Sequence, residues 1–271
     1  MGCDTPRSVG VLGCGSMGGA IARGLVQSQT LEASQLALFD PDYSCVRDLA
    51  ELGAWVAESA EELAKGEWDV LVLAVKPQIL PDVVAPIAGL LAHKLVVSIA
   101  AGVNLHTLEN LLPDVRTVRV MPNLPIQVRS GATAIAPGPL AAEEDVQLVR
   151  KLFCSLGSAQ VMREDQLDAE GAVVSCGPAY VALFIDALTR AGVRAGLPAA
   201  VCRDMVEATV LGVAQTLLES GEHPRSYMER VTSPGGTTAA ALYQMEPLVM
   251  EAAYAATDAA LARTQELAGG K

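Results

Sequence analysis

The sequence predicts an α/β chain in two parts: a parallel-sheet domain over residues 1–163 and an all-helical domain over residues 164–271. Three observations predict it. From Ser8 to about Gly157, short apolar runs alternate with helix-patterned stretches, the sign of right-handed βαβ units. A G-x-G-x-x-G motif joins the first run to the first helix pattern. After about Glu164 the strand signals stop and helical stretches take over.

The elements follow in order. Residues 9–13 form a first strand and 17–29 a helix; 36–39 form a second strand and 44–52 a helix. Residues 70–75 (VLVLAV) have almost no polar interruption, as expected of a strand buried on both faces. Further strands are expected over 95–99 and 117–120. Helices are expected over 167–176, 179–195, 199–220 and 247–267, with Gly196-Leu197-Pro198 as a stop and restart. Phe184, Ile185, Leu188 and Val193 do not keep to one stripe, and 252–262 is nearly all alanine. Helices apolar all round are buried, and this domain is too small to bury every face alone, so a partner subunit is expected.

Composition narrows the function. Apolar residues make up 51% of the chain, which excludes a disordered protein. The net charge of −12 and the scattered Lys and Arg exclude a nucleic-acid binder. The longest strongly apolar run, 70–75, falls far short of the roughly 20 residues of a spanning helix, so no membrane segment is expected. The N-terminus lacks a basic region followed by an apolar one, so no signal peptide and a cytoplasmic setting are expected. The six cysteines (3, 14, 45, 154, 176 and 202) form no C-x-x-C pair and are expected to be reduced and mostly buried. His93, His106 and His223 are far apart, so no metal site is expected.

The glycine motif reads Gly13-Cys14-Gly15-Ser16-Met17-Gly18. Gly13 permits the tight turn, Gly15 lets the backbone approach a pyrophosphate, and Gly18 lets the helix pack on the strand. The helix N-terminus then offers free N–H groups to phosphates. Strand, motif and helix together predict a Rossmann-type dinucleotide-binding domain over 1–163. Asp40 closes the second strand, where a carboxylate accepts from ribose hydroxyls and repels a 2′-phosphate; this favours NADH over NADPH, with NADPH kept as the alternative. Ala74, Val75, Lys76 and Pro77 follow one strand and Ala100 and Ala101 another, at the carboxyl ends where ligands bind; the nicotinamide is expected there. Arg119 to Asn123 end a further strand on the expected substrate side.

A second motif, Val231-Thr232-Ser233-Pro234-Gly235-Gly236-Thr237-Thr238, precedes what reads as a short helix. Its backbone N–H groups and the hydroxyls of Ser233, Thr237 and Thr238 suit a small carboxylate. With Gly177-Pro178-Ala179-Tyr180, Gly196-Leu197-Pro198 and the glycine motif, it resembles pyrroline-5-carboxylate reductase over nearly the whole chain.

The resemblance implies an oxidoreductase of proline biosynthesis in which hydride passes from NADH or NADPH to a cyclic imine carboxylate, 1-pyrroline-5-carboxylate, giving L-proline. It makes the helical domain a dimerisation domain, in a homodimer or higher oligomer of dimers. It implies that Gly236 and Thr237 hold the carboxylate, that Thr238 bonds the ring nitrogen, with Ser233 beside it, and that Glu164 lies near the substrate. It also places Ser59 near the adenosine ribose, where the family often has Asn, although an insertion around 66–68 blurs that alignment. The family's S-G-S-G-P-A-Y reads Val174-Ser175-Cys176-Gly177-Pro178-Ala179-Tyr180 here, a departure near the substrate that bears on affinity. Gly18 stands where the family often has Ala, an exchange expected to be harmless. Two alternatives remain: another Rossmann imine or hydroxyacid oxidoreductase, and a non-catalytic nucleotide-sensing protein. A β-hydroxyacid dehydrogenase needs a Lys in the helical domain, and the only Lys after Lys151 is Lys271.

Overall fold

The structure, a computed structural model, describes residues 7–269; Cys3 and the outermost ends of the expected domains lie outside the described residues. The chain divides into two compact units, one holding residues 7–175 with 261–269 and the other Cys176–Ala260.

The first unit alternates strands and helices: β1 (Val9–Leu12), α1 (Ser16–Gln27), β2 (Leu36–Phe39), α2 (Arg47–Glu51), β3 (Trp55–Val56), α3 (Ala60–Lys65), β4 (Val70–Leu73), α4 (Leu80–Val84), β5 (Leu95–Ser98) and α5 (Leu105–Leu111). It continues through β6 (Arg116–Pro122), β7 (Gly131–Pro137), α6 (Glu143–Cys154), β8 (Gly157–Val161) and α7 (Leu167–Glu170), which runs into a π-turn, Gly171–Ser175. The strands form one sheet in the order β3-β2-β1-β4-β5-β6-β7-β8. All pairs are parallel except β6 with β7. The order reverses between β1 and β4, so the loops leaving these two strands open the crevice where such sheets bind ligands.

Side chains alternate across the sheet. Val9, Val11, Val70, Val72 and Val97 pack with Ile21 and Leu25 of α1 and Val149 and Phe153 of α6. Leu12, Leu71, Leu73 and Val96 pack with Leu63 of α3, Leu80 and Val84 of α4 and Leu108 of α5. Helices thus cover both faces, which is why 70–75 carries no polar alternation. Three strands escape the sequence reading, each for a local reason. β3 is two residues long, β7 is bracketed by Gly131 and Pro137, and β8 buries only Ala159. The helix expected over 44–52 is shortened to α2, because the Asp42 carboxylate accepts the Ser44 N–H (2.9 Å) and turns the chain before it. The helix expected over 167–176 is split between α7 and the π-turn.

The second unit holds α8 (Gly177–Arg194), α9 (Ala199–Ser220), α10 (Pro224–Arg230) and the start of α11 (Thr237–Gly269). Gly196 takes φ +104° at the end of α8, as its place in the Gly-Leu-Pro stop requires. Pro247 lies inside α11, so the expected short helix and the helix over 247–267 are one continuous element. Of α8, α9 and α10, only Cys202 is buried. Leu183, Leu211, Leu218 and Tyr243 are all more than two-thirds exposed. Large apolar side chains exposed in that number call for a cover.

One expectation is corrected here. Cys14 and Cys202 are buried, but Cys45 is half-buried and Cys154 and Cys176 are exposed, so the thiols are not mostly buried. Cys154 ends α6 and Cys176 precedes α8, and element ends face outward. Within the 31 residues of Glu164–Arg194 an 18-residue window reaches a mean hydropathy of 1.6, long and apolar enough to cross a membrane by length and composition alone.

Candidate active site

The glycine loop is built by close approach. Gly13 takes φ +92° and donates its N–H to the Phe39 carbonyl (2.8 Å), and a side chain there would meet the Ala74 backbone at 2.9 Å. Gly15 has nothing within 4 Å of where a side chain would stand, which leaves room for a ligand. It precedes α1 without a side-chain cap, so the first N–H groups of α1, from Ser16 and Met17, face outward unmet. A methyl on Gly18 would overlap the Gly13 carbonyl oxygen and come within 2.7 Å of the Ala74 Cβ. An Ala at this position is therefore not harmless in this chain, since the obstacle is backbone rather than a side chain that can swing away. A cavity of about 560 Å³ opens beside the loop, lined by Cys14, Gly15, Ser16, Arg23, Cys45 and Gln127 among others.

Asp40 is tied into this loop. One carboxylate oxygen accepts the Cys14 N–H (2.7 Å) and the other the Asp42 N–H (2.9 Å). Burial, with the Asp40 charge adding to it, pushes the Cys14 thiol up to about 12, so it stays neutral. The Ser44 hydroxyl and N–H hold Asp42 below the usual carboxylate range, and Arg47 adds to this. Arg47, absent from the sequence reading, is thus a cation within electrostatic reach of the β2 end. Its signal was faint: an exposed Arg at the first residue of a five-residue helix.

The other expected cofactor residues stand at strand ends in the same unit. Ala74 donates its N–H to Leu12 (2.8 Å), binding the β4 loop to β1; Val75 and Pro77 are half-buried and Lys76 is exposed. Ala100 is buried and Ala101 exposed in the loop after β5. Ser59 is the N-cap of α3, its hydroxyl accepting the Glu62 N–H at 3.0 Å. That bond gives Ser59 a structural task independent of any ligand.

Glu164 and Arg119 form a second cluster. Arg119 on β6 has a side chain only 4% exposed; it reaches Glu164 at 3.2 Å and Asp168 at 3.4 Å. The Glu164 carboxylate also accepts the Leu105 N–H at the start of α5, just past the Ala100–Ala101 loop. Asn123 at the end of β6 donates to the Val174 carbonyl (3.2 Å) and accepts the Ala132 N–H (2.9 Å), tying the π-turn to the sheet.

In the second unit, Gly235 takes φ +70° and the Gly236 N–H donates to the Ser233 carbonyl (3.0 Å). Thr237 and Thr238 then open α11, which has no acidic residue in its first turn. Gly236 therefore spends its N–H on the turn itself, and the unmet N–H groups are those of Thr237 and Thr238. Thr238 is half-buried, while Ser233 and Thr237 are exposed. Among the described residues, no three His, Cys, Asp or Glu side chains gather as a metal site.

Comparison with known proteins places this geometry. The family described as pyrroline-5-carboxylate reductase dimerisation matches residues 164–267, and that of NADP oxidoreductase coenzyme F420-dependent matches residues 8–102. The chain is 38% identical over 261 residues to the pyrroline-5-carboxylate reductase of Synechocystis, covering 96% of this chain and 97% of that one. It is 38% identical over 243 residues to the Escherichia coli enzyme, covering 89% and 90%. The solved Coxiella burnetii pyrroline-5-carboxylate reductase superposes with a TM-score of 0.91 at 30% identity, covering 96% of this chain and 98% of that one. The Plasmodium falciparum pyrroline carboxylate reductase, solved with NADP bound, gives 0.85 at 30% identity, covering 97% and 98%.

Proposed function

The chain belongs to the pyrroline-5-carboxylate reductase family, and from that premise we propose which residues carry the reaction. It is an NAD(P)H-dependent oxidoreductase of proline biosynthesis that reduces the cyclic imine 1-pyrroline-5-carboxylate to L-proline. When bound, the reduced nicotinamide supplies a hydride to the imine carbon.

Gly13, Cys14, Gly15, Ser16 and Met17 hold the dinucleotide phosphates. This is supported by the uncapped start of α1 and the open space at Gly15. Asp40 stands at the ribose end, with Ser59 on the adjoining helix start. Ala74 to Pro77 and Ala100–Ala101 flank the nicotinamide. The substrate carboxylate meets the free N–H groups of Thr237 and Thr238, Gly236 serving to shape the turn. The Thr238 hydroxyl bonds the ring nitrogen, and Ser233 orients it. A protonated imine is already electrophilic, so positioning supplies most of the rate enhancement. Glu164 acts at the substrate side by holding Leu105 and Arg119 in place.

The observation that carries this reading is the turn ahead of α11. It leaves unmet N–H groups and two threonine hydroxyls at the start of α11, with no acidic side chain in the first turn to compete for them. NADH is the preferred cofactor, supported by two carboxylates, Asp40 and Asp42, at the end of β2, against the single Arg47. The protein works as a homodimer or an oligomer of dimers, and Glu164–Arg194 is subunit interface rather than membrane span. Its five described cysteines are unpaired, in keeping with a cytoplasmic setting. The test is a matrix of NADH and NADPH against 1-pyrroline-5-carboxylate, read as loss of reduced cofactor. No oxidation of either cofactor would sink the reading.

A further inference from the structure

Glu170 is a carboxyl group that the reaction above does not use. It ends α7 where the chain widens into the π-turn Gly171–Ser175, an irregularity that tends to mark functional positions. One oxygen accepts the Ser175 hydroxyl (3.2 Å), which closes a bridge across the whole turn. The other oxygen is buried and has no hydrogen-bond partner. Among the described residues, no cation acts on it. On its own stretch, Glu164 and Asp168 are both engaged by Arg119 and Asp165 by Arg163. β6, packed against the turn, offers Arg119 and Arg116, the latter paired with Asp145; β7, packed against α7, has no titratable residue. Next along the chain are Cys176 and Tyr180, whose hydroxyl is held above its usual range by burial and by Cys176 beside it. An ionised carboxylate in that setting would be uncompensated.

We propose that Glu170 and Ser175 form a clasp across the π-turn that positions the start of α8 for the substrate, and that the clasp is competent only with Glu170 uncharged. The inference rests on the reading above that the 174–180 segment borders the substrate. Once ionised, Glu170 is a buried charge whose desolvation cost outweighs the Ser175 bond, so the turn opens to hydrate it and the clasp parts. Burial raises the Glu170 carboxyl to about 7, against which the Ser175 hydroxyl bond pulls it down. The group therefore changes state near neutral pH. Glu170 is a positioning residue, and its signature is a substrate KM that depends on pH while kcat does not.

The experiment measures KM for 1-pyrroline-5-carboxylate and kcat from pH 6 to 9 in wild type, Glu170→Gln and Ser175→Ala. In wild type the substrate KM is flat at low pH and rises about tenfold per pH unit above about 7. In Glu170→Gln that rise is absent. In Ser175→Ala the substrate KM is already raised at low pH, because the clasp is gone, and the further rise begins at higher pH, because the bond that favoured the charged form is gone. A rise that survives in Glu170→Gln, or a Ser175→Ala profile unmoved or shifted down, overturns the proposal. If wild type shows no turnover, the reductase reading fails, and melting then decides the clasp. A carboxyl raised from its ordinary value to about 7 loses stability between those two values, so wild type falls behind Glu170→Gln between about pH 4.5 and 7. A gap that stays constant over that range would overturn the clasp.

Discussion

Replacing Asp40 with Asn separates two tasks of one carboxylate. Its oxygens accept the Cys14 and Asp42 N–H groups at 2.7 and 2.9 Å, and an Asn can accept only one of the two. The other N–H then faces an amide NH2, and an unsatisfied donor costs roughly 1–3 kcal/mol. Asp40 is half-buried, so the lower end applies, and melting should fall by about 2–4 °C. The same change removes a negative charge. At about 5 Å and a water-like dielectric, its repulsion of a doubly charged 2′-phosphate is on the order of 1.5 kcal/mol, roughly a tenfold change in preference. Asp40→Asn should therefore raise KM for both cofactors and shift the NADPH/NADH ratio of kcat/KM about tenfold toward NADPH. Steady-state kinetics with each cofactor, beside a thermal melt, read both effects. An unmoved ratio would refute the electrostatic role, and an unmoved melt with unchanged NADH KM would refute the fastening role. A wild-type enzyme that already favours NADPH would show that Arg47 outweighs the two carboxylates.

Other variants test the remaining assignments. Thr238→Ala should lower kcat by on the order of tenfold to a thousandfold with cofactor KM intact; equal loss of cofactor affinity would assign the hydroxyl to the fold. Gly18→Ala should cost about 1–3 kcal/mol and raise cofactor KM, since the methyl overlaps the Gly13 carbonyl; an unchanged melt would show that the loop yields freely. Glu164→Gln leaves the buried Arg119 with Asp168 alone and should lower the melting temperature and raise substrate KM together. A loss of substrate affinity with no loss of stability would make Glu164 a direct ligand of the substrate.

The parts of this protein that the sequence displays are those whose geometry is local. The strand, the three glycines and the helix behind them are consecutive; Gly13 and Gly18 answer to a neighbour within a few residues or to the adjacent strand, and Gly15 leaves open space. β4 is legible because both of its faces are covered. The antiparallel β7 is not legible, because pairing with β6 substitutes for apolar pattern in a strand that starts at Gly131 and ends at Pro137. The continuity of α11 through Pro247 defeats a rule that treats proline as a break, where only one backbone bond is lost. At the site, Asp40 was visible as a strand-end carboxylate, but not its hold on Cys14, which lies 26 positions away. Glu164 was placed through resemblance, while its bonds to Leu105 and Arg119 depend on how α5, β6 and the chain before α7 converge.

The net charge of −12 poses a problem for a protein whose substrate and cofactor are both anions. Long-range attraction works against such ligands, so affinity must come from short-range donors, and the starts of α1 and α11 supply neutral N–H groups for it. That solution holds only if carboxylates nearby are prevented from repelling the ligands. Asp40 and Asp42 keep their charge at the end of β2, against a 2′-phosphate, while Glu164 is paired with Arg119 and Glu170 is held neutral by burial. Of the last two restraints, only the second is lost near pH 7. Glu170 is therefore the point at which the balance between an acidic protein and anionic ligands gives way first as pH rises, and an alkaline loss of substrate affinity that kcat does not share should trace to it.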